Sequence, residues 1–308
     1  MRILCIDLGG SRAKLSLVCS GTCGRIRVVP VDPAEGMAET MRYLMAGAKE
    51  LLAEDREIDG IGFAFPGIVA GGRIVESNGK YPDAAFFDLH EWARDAFGCG
   101  IRVMNDAAAA LQGELTYGVG RGYDAAAMMI IGTGVGTAAA QNGHVLAGRH
   151  GTMGILGGHL TVETRFRRMC TCGNRGCLEA WAGTWALNGL AREDPGFAGS
   201  VLAQASVIDY RAVHEGVKSG DQVCRRLFEQ TVDMLGAGAV NLVHAYDPEV
   251  LILSGGPAHI PEVVQGIREA VEQYAWTPWG KVDIRVAENP EASVLLGLDA
   301  LWEQAGSE

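Results

Sequence analysis

Short apolar runs alternate with amphipathic ones along most of the chain. Arg2 to Asp7 reads as a strand, and Ala13 to Cys19 as a second in which Leu15, Leu17 and Cys19 recur at alternate positions. Gly9-Gly10 separates the two, so together they predict a hairpin with a glycine-rich tip. The same device returns at Ala127 to Ile131, GTGVG from Gly132 to Gly136, and Thr137 to Gln141. That recurrence predicts two related halves. Between the hairpins, Ala34 to Glu54 and Leu89 to Phe97 read as helices. Ile58 to Phe65, ending at Pro66-Gly67, and Ile101 to Asn105 read as strands. After residue 180 the pattern is mainly helical, with Asp221 to His244 the longest periodic run. The buried-type strand Val250 to Leu253 leads into a Ser254-Gly255-Gly256 turn, and helices follow at about Pro261 to Tyr274 and Ala292 to Gln304. Mixed order of this kind predicts an α/β fold with helices covering the sheets. No low-complexity linker marks a boundary. The repeated hairpins predict a smaller domain of residues 1–115, rejoined by the helix at 292–308, and a larger domain of residues 116–291.

Composition narrows the class. A chain of 308 residues with 48% hydrophobic content can bury two ordinary cores. No run approaches the ~18 apolar residues of a membrane span, and no signal-peptide pattern opens the sequence, so the expected location is cytoplasmic. The formal charge of -11 comes with no basic block, and RFRR at Arg165 to Arg168 is the single local cluster. Nucleic acid is therefore an unfavoured partner. Eight cysteines without framework spacing fit a reducing compartment.

Chemistry concentrates in GGHLTVETRFRRMCTCGNRGCLE, Gly157 to Glu179. His159, Cys170, Cys172 and Cys177 supply one imidazole and three thiolates, the closed tetrahedral set of a structural zinc. Gly173 and Gly176 allow the backbone to fold back so that the sulfurs converge. A disulfide or plain burial of the cysteines is the alternative. The glycine turns lead into strands, unlike Rossmann and P-loop turns, which open helices. Their bare N–H groups can still wrap anionic oxygens. Ser11 and Thr133 add hydroxyls there, and Asp7 could hold Mg²⁺ through water; an ordinary tight turn remains the alternative. Asn105-Asp106 closes one strand and opens the alanine-rich helix Ala107 to Gln112. Asp106 is either an N-cap or a carboxylate base beside a substrate-orienting amide. Glu179 is either a surface residue in a first helical turn or a rigid carboxylate for sugar hydroxyls.

DLGGSRAK at Asp7 to Lys14, FPG at Phe65 to Gly67, NDAAAA from Asn105, GTGVG from Gly132, GGH ending at His159 and CTCGNRGCLEA from Cys170 together resemble the ROK family of bacterial sugar kinases and repressors. The resemblance covers essentially the whole chain. It implies an actin-like, hexokinase-like pair of ribonuclease-H-type domains with ATP and sugar in the intervening cleft. By that resemblance Asp106 is the base that accepts the proton of a sugar hydroxyl, the 6-hydroxyl in the family. Asn78, Asn105, His159 and Glu179 are sugar contacts, and His159 with the three cysteines the zinc ligands. Asp7, Gly9, Gly10, Ser11, Lys14, Gly132, Thr133, Gly134 and Gly136 fall on the Mg-ATP side, with Gly255 and Gly256 in an adenosine-side motif. A homodimer is expected because members often form one. Leu156 departs from the pattern, since glucose and N-acetylhexosamine members carry Glu three residues before the metal histidine. A sugar hydroxyl left buried without that partner costs about 1–3 kcal/mol, so the resemblance implies a different or looser sugar specificity. Family repressors place a winged helix-turn-helix before the first phosphate loop, and Asp7 leaves no room for one here. The kinase branch is therefore expected, with a non-catalytic sugar-binding regulator as the alternative.

Overall fold

A computed structural model of the chain describes residues 1–52, 57–77 and 79–304. Glu54, Asn78 and the tail 305–308 of the predicted smaller domain lie outside them. The chain divides into two compact units, Met1–Tyr123 with Gly143–Gly154 and Ala287–Glu308, and Asp124–Asn142 with Ile155–Val286. The boundary expected near residue 115 falls inside a helix of the first unit, and the division comes at Tyr123. Among the described residues no helix is long and apolar enough to cross a membrane.

The first unit is built on β1 (Arg2–Leu8), β2 (Arg12–Cys19), β3 (Thr22–Cys23), β4 (Arg27–Pro30), β5 (Gly60–Phe65) and β8 (Gly100–Asn105), in the order β3-β2-β1-β5-β8 with β4 on β2. β1 runs antiparallel to β2 and parallel to β5, which is parallel to β8. A small hairpin, β6 (Ile68–Ala70) and β7 (Arg73–Glu76), and the two-residue strand β11 (His144–Val145) complete its strands. Alternation along β1 sends Leu4 and Ile6 to one face and Ile3 and Cys5 to the other. The first face packs on α1 (Gly36–Leu52), through Met37, Met41 and Leu44, and on α2 (Leu89–Phe97), through Leu89 and Ala93. The second face is lined by small residues because α3 (Asp106–Tyr117) and α9 (Pro290–Gln304) approach closely. A Cβ on Gly62 would stand 2.6 Å from that of Leu298, and one on Gly297 would stand 1.8 Å from the Ala109 carbonyl oxygen. The alanines of α3 thus serve helix packing.

In the second unit β9 (Ala126–Ile131), β10 (Val135–Gln141), β12 (Val250–Ser254) and β13 (Asp283–Val286) lie in the order β10-β9-β12-β13. β9, β12 and β13 are parallel, and β10 returns antiparallel to β9. Five helices cover this sheet: α4 (Leu178–Ala182), α5 (Thr184–Glu193), α6 (Tyr210–Lys218), α7 (Gln222–Tyr246) and α8 (Pro261–Tyr274). Met129, Ile131, Leu251 and Leu253 pack against Leu235, Leu242, Val263 and Ile267. Each unit thus repeats one arrangement, a glycine-tipped hairpin whose first strand continues into a parallel sheet. In both, the turns collect at the carboxyl ends of the parallel strands, where open α/β sheets bind ligands.

Candidate active site and metal centre

In the first unit the parallel register sets Asp7 beside Ala64 and Phe65 beside Asn105, so Asp7, Gly67 and Asn105-Asp106 share one sheet edge. Asn105 caps α3, its Oδ1 accepting from the Ala108 N–H at 3.0 Å. Capping therefore falls to the asparagine and not to Asp106. The Asn105 amide donates its two hydrogens to the Gly67 carbonyl at 2.9 Å and to Asp106 Oδ1 at 3.0 Å. Asp106 Oδ1 also accepts from the Ala107 N–H at 2.8 Å. One carboxylate oxygen is clamped by these two donors, which fixes the direction of the other. Burial raises the Asp106 carboxyl above its ordinary range, opposed by the Ala107 N–H, the Lys80 ammonium and Asn105.

Asp7 ends β1 ahead of the Gly9-Gly10 turn. Burial pushes its carboxyl up to about 6, with Asp106 and Glu291 adding to the rise and Lys14 and Arg12 opposing it. Lys14 is less available than the sequence implies, since its ammonium lies 2.8 Å from Glu291 and 3.9 Å from Asp7. The turn is closed by the Gly9 N–H donating to the Arg12 carbonyl at 3.0 Å, and a Cβ on Gly9 would stand 2.8 Å from that oxygen. Two raised carboxyls at one sheet edge form a site that a divalent cation would relieve. Asn78 lies outside the described residues. Its neighbours Lys80 and Tyr81 do contribute to this edge, although the turn-like run SNGKYPD gives no periodic signal for either.

The second glycine turn is filled from within its own unit. Glu179, in the first turn of α4, places Oε2 3.0 Å from the Val135 N–H, while Oε1 accepts from the Trp185 indole and the Thr171 hydroxyl, each at 3.3 Å. Gly134 leaves room for this carboxylate, since a Cβ there would stand 2.2 Å from Oε2. The start of α5 adds two bonds, Thr184 N–H to the Gly132 carbonyl and Trp185 N–H to that of Thr133, both at 3.1 Å. Gly255, at φ +88°, packs so closely that a Cβ would stand 2.0 Å from the Ile131 carbonyl oxygen. The structure thus brings Gly132–Gly136, Gly255-Gly256 and Glu179 together.

His159, Cys170, Cys172 and Cys177 offer four ligand atoms within 4.8 Å of one another. The Cys172 and Cys177 sulfurs are 3.8 Å apart, and Cys170 Sγ is 3.6 Å from His159 Nδ1. A tetrahedron with bonds of about 2.3 Å to sulfur and 2.0–2.1 Å to nitrogen has edges of about 3.8 and 3.6 Å. The donor set therefore fits a tetrahedral ion. Gly176, at φ +75°, allows the close return, because a Cβ there would meet the Glu163 carbonyl at 1.7 Å. Burial and the adjacent sulfurs hold the Cys177 thiol up to about 12, so a cation beside its sulfur is what would ionise it. The Asn174 amide donates to Cys177 Sγ at 3.3 Å. Leu156, two residues before the Gly158 that packs on Val135, is 41% exposed.

The ROK family profile matches residues 3–305. The glucokinase of Thermotoga maritima is 28% identical over 89% of this chain and 88% of its own. A xylose repressor of Caldicellulosiruptor bescii is 25% identical over 79% of this chain and 62% of its own. Among solved structures, the ROK hexokinase from Thermus thermophilus has a TM-score of 0.81 at 27% identity, with 100% of both chains covered. A ROK family glucokinase from Streptomyces griseus, in complex with glucose and AMPPNP, has a TM-score of 0.80 at 26% identity, covering 99% of this chain and 100% of that one. The fold is accordingly the actin-like, two-domain α/β fold of the ROK hexokinases, and the chain belongs to the ROK family.

Proposed function

We propose that this chain is an ATP-dependent kinase of a hexose or hexose derivative, with Asp106 as general base and the 6-hydroxyl as acceptor. The observation that carries this reading is the clamp on Asp106: one oxygen fixed by Asn105 and the Ala107 N–H, in a carboxyl raised by burial. A carboxylate so held can take a hydroxyl proton in a set direction. The acceptor hydroxyl gives its proton to Asp106 as its oxygen bonds to the γ-phosphorus. The bond from that phosphorus to the β-bridging oxygen breaks, ADP leaves, and the proton passes to solvent. Asn105 acts chiefly by positioning, since both amide hydrogens are already donated.

Asp7 would hold Mg²⁺, which neutralises charge on the β- and γ-oxygens. Gly9, Gly10, Ser11 and Lys14, with Gly132, Thr133, Gly134 and Gly136, take the nucleotide phosphates, and Gly255-Gly256 the adenosine side. The sugar is held by Asn78, by the spare lone pairs of Glu179 and by His159 Nε2, because Nδ1 faces the sulfurs. Zinc on His159, Cys170, Cys172 and Cys177 is structural, with all four positions closed by protein.

A second reading, a sugar-binding regulator without turnover, is favoured by Leu156 in place of a carboxylate. A coupled ADP-release assay with Mg-ATP against aldoses, ketoses and N-acetylhexosamines separates the two. Turnover with one sugar that disappears in Asp106→Ala is the expected result. Sugar binding without any turnover across the panel would sink the kinase.

A further inference from the structure

Lys80 lies on the loop after β7, and its surroundings fix where its ammonium points. The Lys80 N–H closes a turn on the Ser77 carbonyl at 3.1 Å, and the Ser77 hydroxyl donates to the Tyr81 carbonyl at 3.2 Å. Tyr81 is fully buried, packs on Phe65, and takes φ +50°. The left-handed region costs a non-glycine residue about 1–2 kcal/mol, so this conformation persists because the surroundings impose it. The phenol hydroxyl of Tyr81 donates to the Gly9 carbonyl at 2.7 Å. The loop is thereby tied to the first glycine turn one residue away from Lys80.

The consequence appears at Gly10. The Lys80 Nζ and Cε atoms stand 3.7 Å from where a Gly10 Cβ would be, so the ammonium lies over the turn with only a glycine beneath it. Among the described residues no carboxylate lies within ion-pair distance of Nζ, in contrast to Lys14, which Glu291 holds. Lys80 nevertheless acts on Asp106 through its charge. A cation that lies over a bare glycine turn, acts on a clamped carboxylate and has no ion-pair partner among the described residues matches an anion that must approach both. In a kinase that anion is the phosphoryl group in transfer.

We propose that Lys80 is a catalytic cation, its ammonium binding the γ-phosphoryl group above the Gly9-Gly10 turn and following the charge into the transition state, a role that rests on the kinase reading above. As the phosphorus leaves the β-bridging oxygen and bonds to the sugar oxygen, its equatorial oxygens stay near Nζ. The lysine neither gives nor takes a proton.

The test pairs calorimetry with kinetics on wild type, Lys80→Met and Lys80→Arg, using MgAMPPNP and MgADP as probes. Lys80 is exposed, so neither change threatens the fold. Lys80→Met should bind MgAMPPNP about tenfold more weakly and MgADP as wild type does. Its kcat should fall about 100-fold, within the range for loss of one transition-state donor, with the sugar KM unchanged. Lys80→Arg should recover most of both losses. Equal MgAMPPNP affinity in wild type and Lys80→Met overturns the role of Lys80 and leaves the kinase standing if wild type turns over. An equal loss for MgADP, or a raised sugar KM at unchanged kcat, also overturns it by placing the lysine elsewhere. Wild-type protein that binds neither nucleotide overturns both readings.

Discussion

Gly9-Gly10 and Gly132–Gly136 are hairpin tips of nearly the same design, yet their neighbours treat them differently. Over the first lies a lysine with no ion-pair partner among the described residues, and before it stands an aspartate whose carboxyl burial pushes up to about 6. Into the second reaches the carboxylate of Glu179, bonded to the Val135 N–H, while the start of α5 ties down two turn carbonyls. The first turn keeps its electrostatic demand open, and the second meets much of its own. A glycine turn in sequence therefore does not say whether its N–H groups are available, because that depends on residues far along the chain.

The largest effect should come from the proposed zinc knuckle, because it carries the second turn alone. Cys177 is the N-cap of α4, and Glu179 sits in the first turn of that helix. Stripping the metal, or replacing Cys172 by Ala, should lower stability by about 4 kcal/mol or more, as loss of a structural metal does. That is on the order of 10 °C in Tm. Hydrogen exchange should rise at Gly132–Val135 and stay as it was at Gly9–Arg12. Protein purified without stoichiometric zinc, or uniform loosening of both turns, would break the comparison.

The strands and turns at the two sheet edges were legible because period-two alternation and glycine punctuation are local signals, and the knuckle because its donors lie close in sequence. What escaped was made by distant contacts. The N-terminus of α1 is capped by the carboxylate of Asp83, which accepts from the Met37 N–H at 2.9 and 3.0 Å. This fits a start at Gly36 after a short 3₁₀ turn at Pro33–Glu35, where the periodic pattern begins at Ala34. Asp106 reads as cap or base in the sequence, and the cap belongs to Asn105. Lys80 and Tyr81 resemble any solvated turn, and the Tyr81 bond to Gly9 and its packing on Phe65 bring them to the site.

A smaller effect isolates the carboxylate of the second turn. Glu179→Gln keeps the shape but removes the charge and turns one of the two accepting oxygens into an NH₂, so one side of the carboxylate loses its hydrogen bond. Hydrogen bonds to charged groups contribute about 1.5–3 kcal/mol, so denaturant unfolding should report a loss in that range. Gly134→Ala should act in the same direction, since its Cβ displaces Oε2. Gly10→Ala, with only the flexible end of Lys80 nearby at 3.7 Å, should cost less. Equal costs at Gly10 and Gly134 would deny that the two turns differ.

The last effect tests the open demand of the first turn through pH. Asp7 ionises near 6 when folded and near its ordinary 3.8 when unfolded. Between those values the folded state binds more protons, so this residue's contribution to stability falls as pH rises from about 4 to about 6. Below that window the group is neutral in both states and contributes nothing. Asp7→Asn should therefore match wild type near pH 3 and become more stable by about 2–3 kcal/mol at pH 7, the opposition of Lys14 being already part of the rise to about 6. Mg²⁺ should narrow that gap at pH 7 by stabilising wild type alone. A gap that is constant across pH, or that widens toward acid, would show that Asp7 carries no raised carboxyl, and the first turn would then resemble the second.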